Sequence, residues 1–133
     1  MRKKGSLRRL VVDETTTYLW SVRHRHGQGR PCEEVVGLLR DGRRTRIVFR
    51  AGPGRAVEGG YQPGGYVSDE HGNGLNLNEP GSVRALVDEA AGRGLLPGPR
   101  EQQVDGWALL PGAAARRAAA ATPATPPGTP PGP

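Results

Sequence analysis

Residues 33–50 read EEVVGLLRDGRRTRIVFR, and this stretch predicts a β-hairpin. The pair Asp41-Gly42 separates two runs rich in Val, Leu and Ile, and it is the pair that a two-residue type I′ turn requires. The turn fixes the register, so Val36 is expected to face Ile47. Because side chains alternate along a strand, one face of the hairpin is apolar and the other is rich in arginine. The apolar face comprises Val36, Leu38, Ile47 and Phe49, and the other carries Arg44, Arg46 and Arg50 beside Val35, Leu39 and Val48.

Two further strands are predicted before the hairpin, over residues 7–12 and 17–26. The second strand alternates between an aromatic face, which turns polar at its end, and a face that ends in arginines. The first of these faces carries Tyr18, Trp20, Val22, His24 and His26, and the second carries Leu19, Ser21, Arg23 and Arg25.

The glycine-rich stretch 51–74 follows the hairpin. Such a long segment without secondary structure is unusual in a compact domain. We therefore expect either a short strand over residues 66–68 or a functional loop. Residues 69–73 could bind a cation, but this polar run is also typical of a turn. Another short strand is predicted over residues 75–78.

The clearest helical pattern covers residues 80–93, with Pro80 in its first turn and Gly94 after its end. Apolar residues recur there three and four positions apart, which predicts one buried stripe. The stripe comprises Val83, Leu86, Val87, Ala90 and Ala91.

A second, short helix is predicted over residues 104–110, with a strand as the alternative. Asp105 would cap this helix and Trp107 would anchor it in the core. Pro111 and Gly112 are expected to interrupt it.

Consecutive strands followed by helices favour an α+β fold with a mainly antiparallel sheet of four or five strands. One or two helices would cover one face of the sheet. We expect a flexible basic N-terminus over residues 1–6 and a single domain over residues 7–111. Residues 112–133 are expected to form a disordered tail rich in Ala, Pro and Thr, in which residues 113–121 could form a fraying helical turn or two.

The charge of this 133-residue chain is uneven: its net charge is +6, and residues 1–50 hold 13 of the 19 basic residues. Such asymmetry is typical of a surface that binds polyanions, and it also arises from an arginine-rich composition alone. The single cysteine, Cys32, excludes an internal disulfide and suits a reducing compartment. No apolar run approaches the roughly 18 residues of a membrane span, and no signal-peptide core follows the basic N-terminus. These features predict a cytoplasmic protein.

Three sets of residues could carry chemistry. A zinc site is one hypothesis, because nitrogen and sulfur ligands suit Zn²⁺; its candidate ligands are His24, His26, Cys32 and His71. Cys32 could instead be a nucleophile with one of these histidines as its base. A basic sheet face that binds nucleic acid is the third hypothesis; it would use Arg23, Arg25, Arg44, Arg46 and Arg50.

The segments YLWSVRHR (18–25), LNEPGSVR (77–84) and VDGWALL (104–110) resemble a group of small domain-of-unknown-function proteins typical of high-GC Gram-positive bacteria. The resemblance covers most of residues 7–117. That group has no assigned activity, so the resemblance implies only a cytoplasmic bacterial setting and a single compact domain.

The sequence therefore favours a non-enzymatic accessory or interaction module with a protein partner. The alternatives are a nucleic-acid-associated protein and a metal- or Cys-dependent enzyme. The sequence indicates no membrane association, requires no cofactor unless zinc is bound, and leaves the oligomeric state open.

Overall fold

The computed structural model of the protein describes residues 7–25, 29, 31–57 and 65–121. The predicted N-terminal segment 1–6 and residues 122–133 of the predicted tail lie outside these ranges. Within them the chain has the expected α+β architecture, formed by eight strands and two helices. In chain order these are β1 (Arg8–Asp13), β2 (Thr16–Arg25), β3 (Glu33–Arg40), β4 (Arg43–Arg50), β5 (Arg55–Val57), β6 (Tyr66–Asp69), β7 (Gly74–Asn76), α1 (Pro80–Gly92), β8 (Glu101–Asp105) and α2 (Gly106–Ala121).

The main sheet has the strand order β1–β2–β3–β4–β8. The first four strands form an antiparallel meander, and β8 joins the far edge parallel to β4. The predicted hairpin is confirmed in its register, because Val36 pairs with Ile47. Asp41 and Gly42 have φ angles of 52° and 75°, the two positive values that a type I′ turn needs.

The glycine-rich stretch contributes to a second, three-stranded sheet, β5–β6–β7. The short strand predicted over residues 66–68 is confirmed within β6, whereas β5 was not predicted. The turn after β6 is held by the Asp69 carboxylate, which accepts the backbone N–H groups of His71 and Asn73, both at 2.9 Å. The polar run 69–73 is thus built as a turn.

Helix α1 begins at Pro80 as predicted and ends at Gly92, one residue before the predicted end, and Ala91 is exposed although it was predicted in the buried stripe. Pro80 occupies its start, and Gly94 follows it with a φ of 78°. The Leu95 N–H then donates to the Ala90 carbonyl at 2.9 Å. This bond across the left-handed glycine closes the helix C-terminus in the usual way.

The strand β8 takes part of the segment for which a short helix was predicted. Val104 and Asp105 end β8, and the helix begins only at Gly106. Asp105 is nevertheless the N-cap, because its Oδ1 accepts the Trp107 N–H at 3.0 Å.

Helix α2 extends into the segment that was predicted as a tail. It runs through Pro111 and Gly112 to Ala121, so residues 112–121 belong to a helix and not to a tail. Ala113 is fully buried in the core, and the next turn is tied to α1 by an ion pair between Arg116 and Glu89 at 2.9 Å. These contacts offset the backbone hydrogen bond that Pro111 cannot donate.

The core lies between one face of the main sheet, the two helices and the small sheet. Trp20, Phe49 and Leu86 are among its fully buried side chains. Phe49 meets Trp107 edge to face at 5.2 Å, and the indole N–H of Trp107 donates to the Arg50 carbonyl at 2.8 Å. No helix in the described ranges is long and apolar enough to cross a membrane.

Candidate interaction surface

One face of the main sheet is left uncovered by the described helices and strands, because both helices pack against the other. Side chains alternate along each strand, so the neighbours of the core residues point away from the core. We call this side the open face. It comprises Arg9 and Val11 of β1, odd-numbered residues 17–25 of β2 and 33–39 of β3, even-numbered residues 44–50 of β4, and odd-numbered residues 101–105 of β8.

All five arginines of the predicted basic sheet face lie on the open face: Arg23, Arg25, Arg44, Arg46 and Arg50. Three of the five have acidic partners on the same face. Arg25 and Arg50 both bind the carboxylate of Glu33, at 2.9 and 2.7 Å. Arg46 lies 3.6 Å from Glu101. The positive charge of the face is therefore partly neutralised by the fold itself.

Glu33 is the most tightly held of these acidic groups. Its burial would raise the pKa, but the hydrogen bonds and charges of Arg50 and Arg25 outweigh burial and lower the pKa below its ordinary value. Glu33 consequently remains ionised near neutral pH, and it fixes the two arginines at one end of the face.

Arg23 and Arg44 differ from the other three arginines. Neither has a carboxylate partner among the described residues, and both side chains are exposed. Arg9 of β1 shares these properties. The unneutralised charge of the open face is therefore carried by arginines away from Glu33.

A shallow depression of about 330 Å³ lies between Arg23 and Arg44. Ser21 and Gly37 are paired across β2 and β3 and contribute to its lining. Leu19 and Leu39 are a second pair beside them. Two small residues side by side lower the surface at the middle of the sheet, while leucines and arginines rise around them.

The open face is apolar at its centre. Val35 and Val48 are only 4% and 6% exposed although they point away from the core. Leu19, by contrast, is 36% exposed. Across the described strands no aromatic side chain lies on this face, because Tyr18, Trp20 and Phe49 belong to the core.

A titratable pair that the sequence analysis missed lies on the core side of the sheet. His24 Nδ1 and a carboxylate oxygen of Glu34 are 2.5 Å apart, and Glu34 is 1% exposed. Burial raises the pKa of Glu34 and outweighs its hydrogen bonds with His24 and with the Gly65 backbone. The two residues are directly paired in β2 and β3, and the sequence analysis missed the contact because the Asp41-Gly42 turn does not specify the register of β2 against β3.

The proposed zinc ligands are only partly described. His24 is bonded to Glu34, His71 is exposed in the turn after β6, and His26 lies outside the described residues. Cys32 is half-buried just before β3. Over the described ranges, no group of three or more His, Cys, Asp or Glu side chains is arranged to hold a metal ion.

Comparison of the chain with protein-family models, curated proteins and solved structures found no match. The resemblance to proteins of high-GC Gram-positive bacteria therefore stays a prediction. By its own geometry the chain is an α+β protein in which the described helices and strands leave one sheet face uncovered.

Proposed function

We propose that the protein is a non-enzymatic interaction module that binds a partner protein through the open face. The observation that carries this proposal is the depression beside Ser21 and Gly37, with leucines around it and arginines at its rim. An apolar centre with a polar rim is the usual arrangement of a protein–protein interface, and arginine is enriched in such interfaces.

The proposed setting is the cytoplasm. The single cysteine supports this setting, because a chain that cannot form an internal disulfide suits a reducing compartment.

Nucleic acid is the second candidate ligand, and the five arginines on one face favour it. Phosphate contacts would make such binding strongly dependent on salt. Two observations make it the weaker candidate. Three of the arginines already have acidic partners. The strands of the open face also supply none of the aromatic platforms on which RNA-binding sheets stack bases.

The test is site-specific photo-crosslinking in the cells that make the protein, with a photoreactive residue at Leu19 on the open face. The matched control places the same group at Ala91, an exposed position on α1 behind the sheet. We expect a discrete protein adduct from position 19 that withstands nuclease, with no such adduct from position 91.

A second variant guards against adventitious capture. Gly37→Val would fill the depression, since a β-carbon at this position meets only the Ser21 hydroxyl, at 3.4 Å. The adduct should disappear in this variant, and the purified partner should bind the natural chain but not the variant. An adduct that nuclease removes would favour nucleic acid, and equal adducts from positions 19 and 91 would refute the proposal.

A further inference from the structure

We infer that the open face takes a short acidic segment of its partner, in which two carboxylates flank an aliphatic residue. This inference rests on the proposed function and adds the chemistry of the ligand. It follows from the charge, the spacing and the shape of the surface between Arg23 and Arg44.

The charge selects a negative ligand. Arg25 and Arg50 are held by Glu33, so a ligand would have to displace that carboxylate to use them. Arg23 and Arg44 form no ion pair in the described part of the chain; Glu101, which lies beside Arg44 on β8, is paired with Arg46. A guanidinium group binds a carboxylate with two parallel hydrogen bonds, which makes these two arginines the natural anchors.

The spacing of the anchors matches a short extended peptide. Arg23 lies in register with Val35, and Val35 with Val48, whereas Arg44 is four residues from Val48 on the same strand. With strands about 4.8 Å apart and a rise of about 3.3 Å per residue, the two arginine Cα atoms lie roughly 16 Å apart. Carboxylates four residues apart in an extended peptide span about 13 Å, and the flexible arginine side chains bridge the remainder.

The shape between the anchors favours an aliphatic side chain. Gly37 places no side chain into the depression, and Ser21 places only a hydroxymethyl group there. Leu19 and Leu39 supply apolar walls. A leucine or valine of the ligand would bury apolar area against these walls, which is the main favourable term in most associations.

The probe is a blocked peptide, Glu-Ser-Leu-Ser-Glu, titrated into the full-length ¹⁵N-labelled chain and followed by two-dimensional NMR. We expect millimolar binding, with shifts confined to the amides around Ser21, Val35, Gly37 and Leu39. The glutamine analogue of the peptide should bind at least about fivefold more weakly, because it lacks both charges.

The arginine anchors are tested with the double variant Arg23→Gln, Arg44→Gln. It should weaken binding of the acidic peptide at least about fivefold. The matched control is Arg84→Gln, Arg93→Gln, which removes the same charge from one position in α1 and one just after it and should leave binding unchanged. The spectra of both variants also report that the fold is retained.

Three results would overturn the inference: equal binding of the glutamine peptide, equal or tighter binding of a thymidine hexanucleotide with the same shifts, or no shifts on the open face at millimolar peptide. These outcomes are separable from failure of the proposed function. If a crosslinked partner still depends on Gly37 but the acidic peptide does not bind, the ligand chemistry is wrong and the interaction module stands.

Discussion

Glu33 and Glu34 are adjacent in β3, yet their carboxyl groups lie on opposite faces of the sheet in opposite electrostatic environments. Glu33 is held by two arginines on the open face, and its pKa is lowered. Glu34 is buried on the core side, and its pKa is raised. A carboxyl group with a lowered pKa stabilises the fold once it is ionised, whereas one with a raised pKa destabilises the fold as it ionises.

This pair predicts opposite pH dependence for two neighbouring substitutions. The stability that Glu33 contributes is present above its ordinary pKa of 4.5 and is lost as the pH falls below it. Glu33→Gln should therefore be most destabilising near pH 7 and approach the natural chain in acid. The penalty from Glu34 grows as the pH rises above 4.5 toward its raised pKa. The stability of Glu34→Gln relative to the natural chain should thus improve over that range.

The measurement is urea unfolding of the three proteins at intervals from pH 3.5 to 7.5. Each variant serves as the control for the other, because both remove one carboxylate from the same strand. Differences in the free energy of unfolding that follow pH with the same sign in both variants would contradict the assignment of these environments.

Two glycines make a similar contrast. An alanine β-carbon at Gly37 would meet only the Ser21 hydroxyl, at 3.4 Å, and the backbone there is not left-handed. Gly37→Ala should be neutral or stabilise the protein by up to about 1 kcal/mol. A β-carbon at Gly106 would lie about 2.6 Å from the buried ring of Phe49. Gly106→Ala should therefore cost about 1–3 kcal/mol. Thermal and urea unfolding measure the stability of both variants against the natural chain. A Gly106→Ala variant as stable as the natural chain would contradict the close packing of α2 on β4.

At the scale of the element, the helix cap of α2 gives the next prediction. Asp105 accepts the Trp107 N–H at 3.0 Å, so Asp105→Ala should lower the free energy of unfolding by about 1 kcal/mol. Asp105→Asn keeps an oxygen acceptor and should lower the free energy of unfolding by only a few tenths of a kcal/mol. Equal losses for the two variants would indicate that the charge near the helix N-terminus matters and the hydrogen bond does not.

The elements also show what the sequence determines locally. The β3–β4 hairpin was predictable residue by residue, because Asp41-Gly42 specifies both the turn and the register. From that register the arginine-rich open face follows directly. The aromatic face of β2 was also predictable, because the alternation of side chains along a strand can be recognised without knowing its neighbours.

Strand β8 and the second half of α2 were not predictable in this way, because their partners are distant in sequence. Gln102 in β8 is polar, and it is stabilised by hydrogen bonds to Thr45 and to the Leu95 carbonyl. Gly112 was expected to end a helix with Pro111, but it lies inside α2 against Glu89 of α1, where a β-carbon would require the Glu89 carboxyl group to move. The depression needed the register between β2 and β3, which no local pattern specifies.

At the scale of the whole molecule, α1 and α2 together cover one face of the sheet and leave the other open. Arg116 and Arg117 of α2 reach Glu89 and Glu79, at the two ends of α1. Glu89 also binds Arg93, and the hydrogen bonds from Arg116 and Arg93 lower the pKa of Glu89. These exposed ion pairs contribute little individually. The buried residues between the helices therefore supply most of the energy that holds α1 and α2 together.

A pair of truncations tests whether the last turns of α2 belong to this layer. A chain that ends at Pro111 retains the buried Leu109 and Leu110 but loses Ala113, which is fully buried. It also leaves the preceding carbonyls of α2 without their helical N–H partners. Compared with a chain that ends at Ala121, the shorter chain should lose about 3 kcal/mol of unfolding free energy, since a helix of six residues cannot hold its own backbone. Hydrogen exchange at Leu109 and Leu110 should accelerate in parallel. If both truncated chains unfold at the same urea concentration, residues 112–121 do not contribute to the domain, which would then end at residue 111 as the composition predicts.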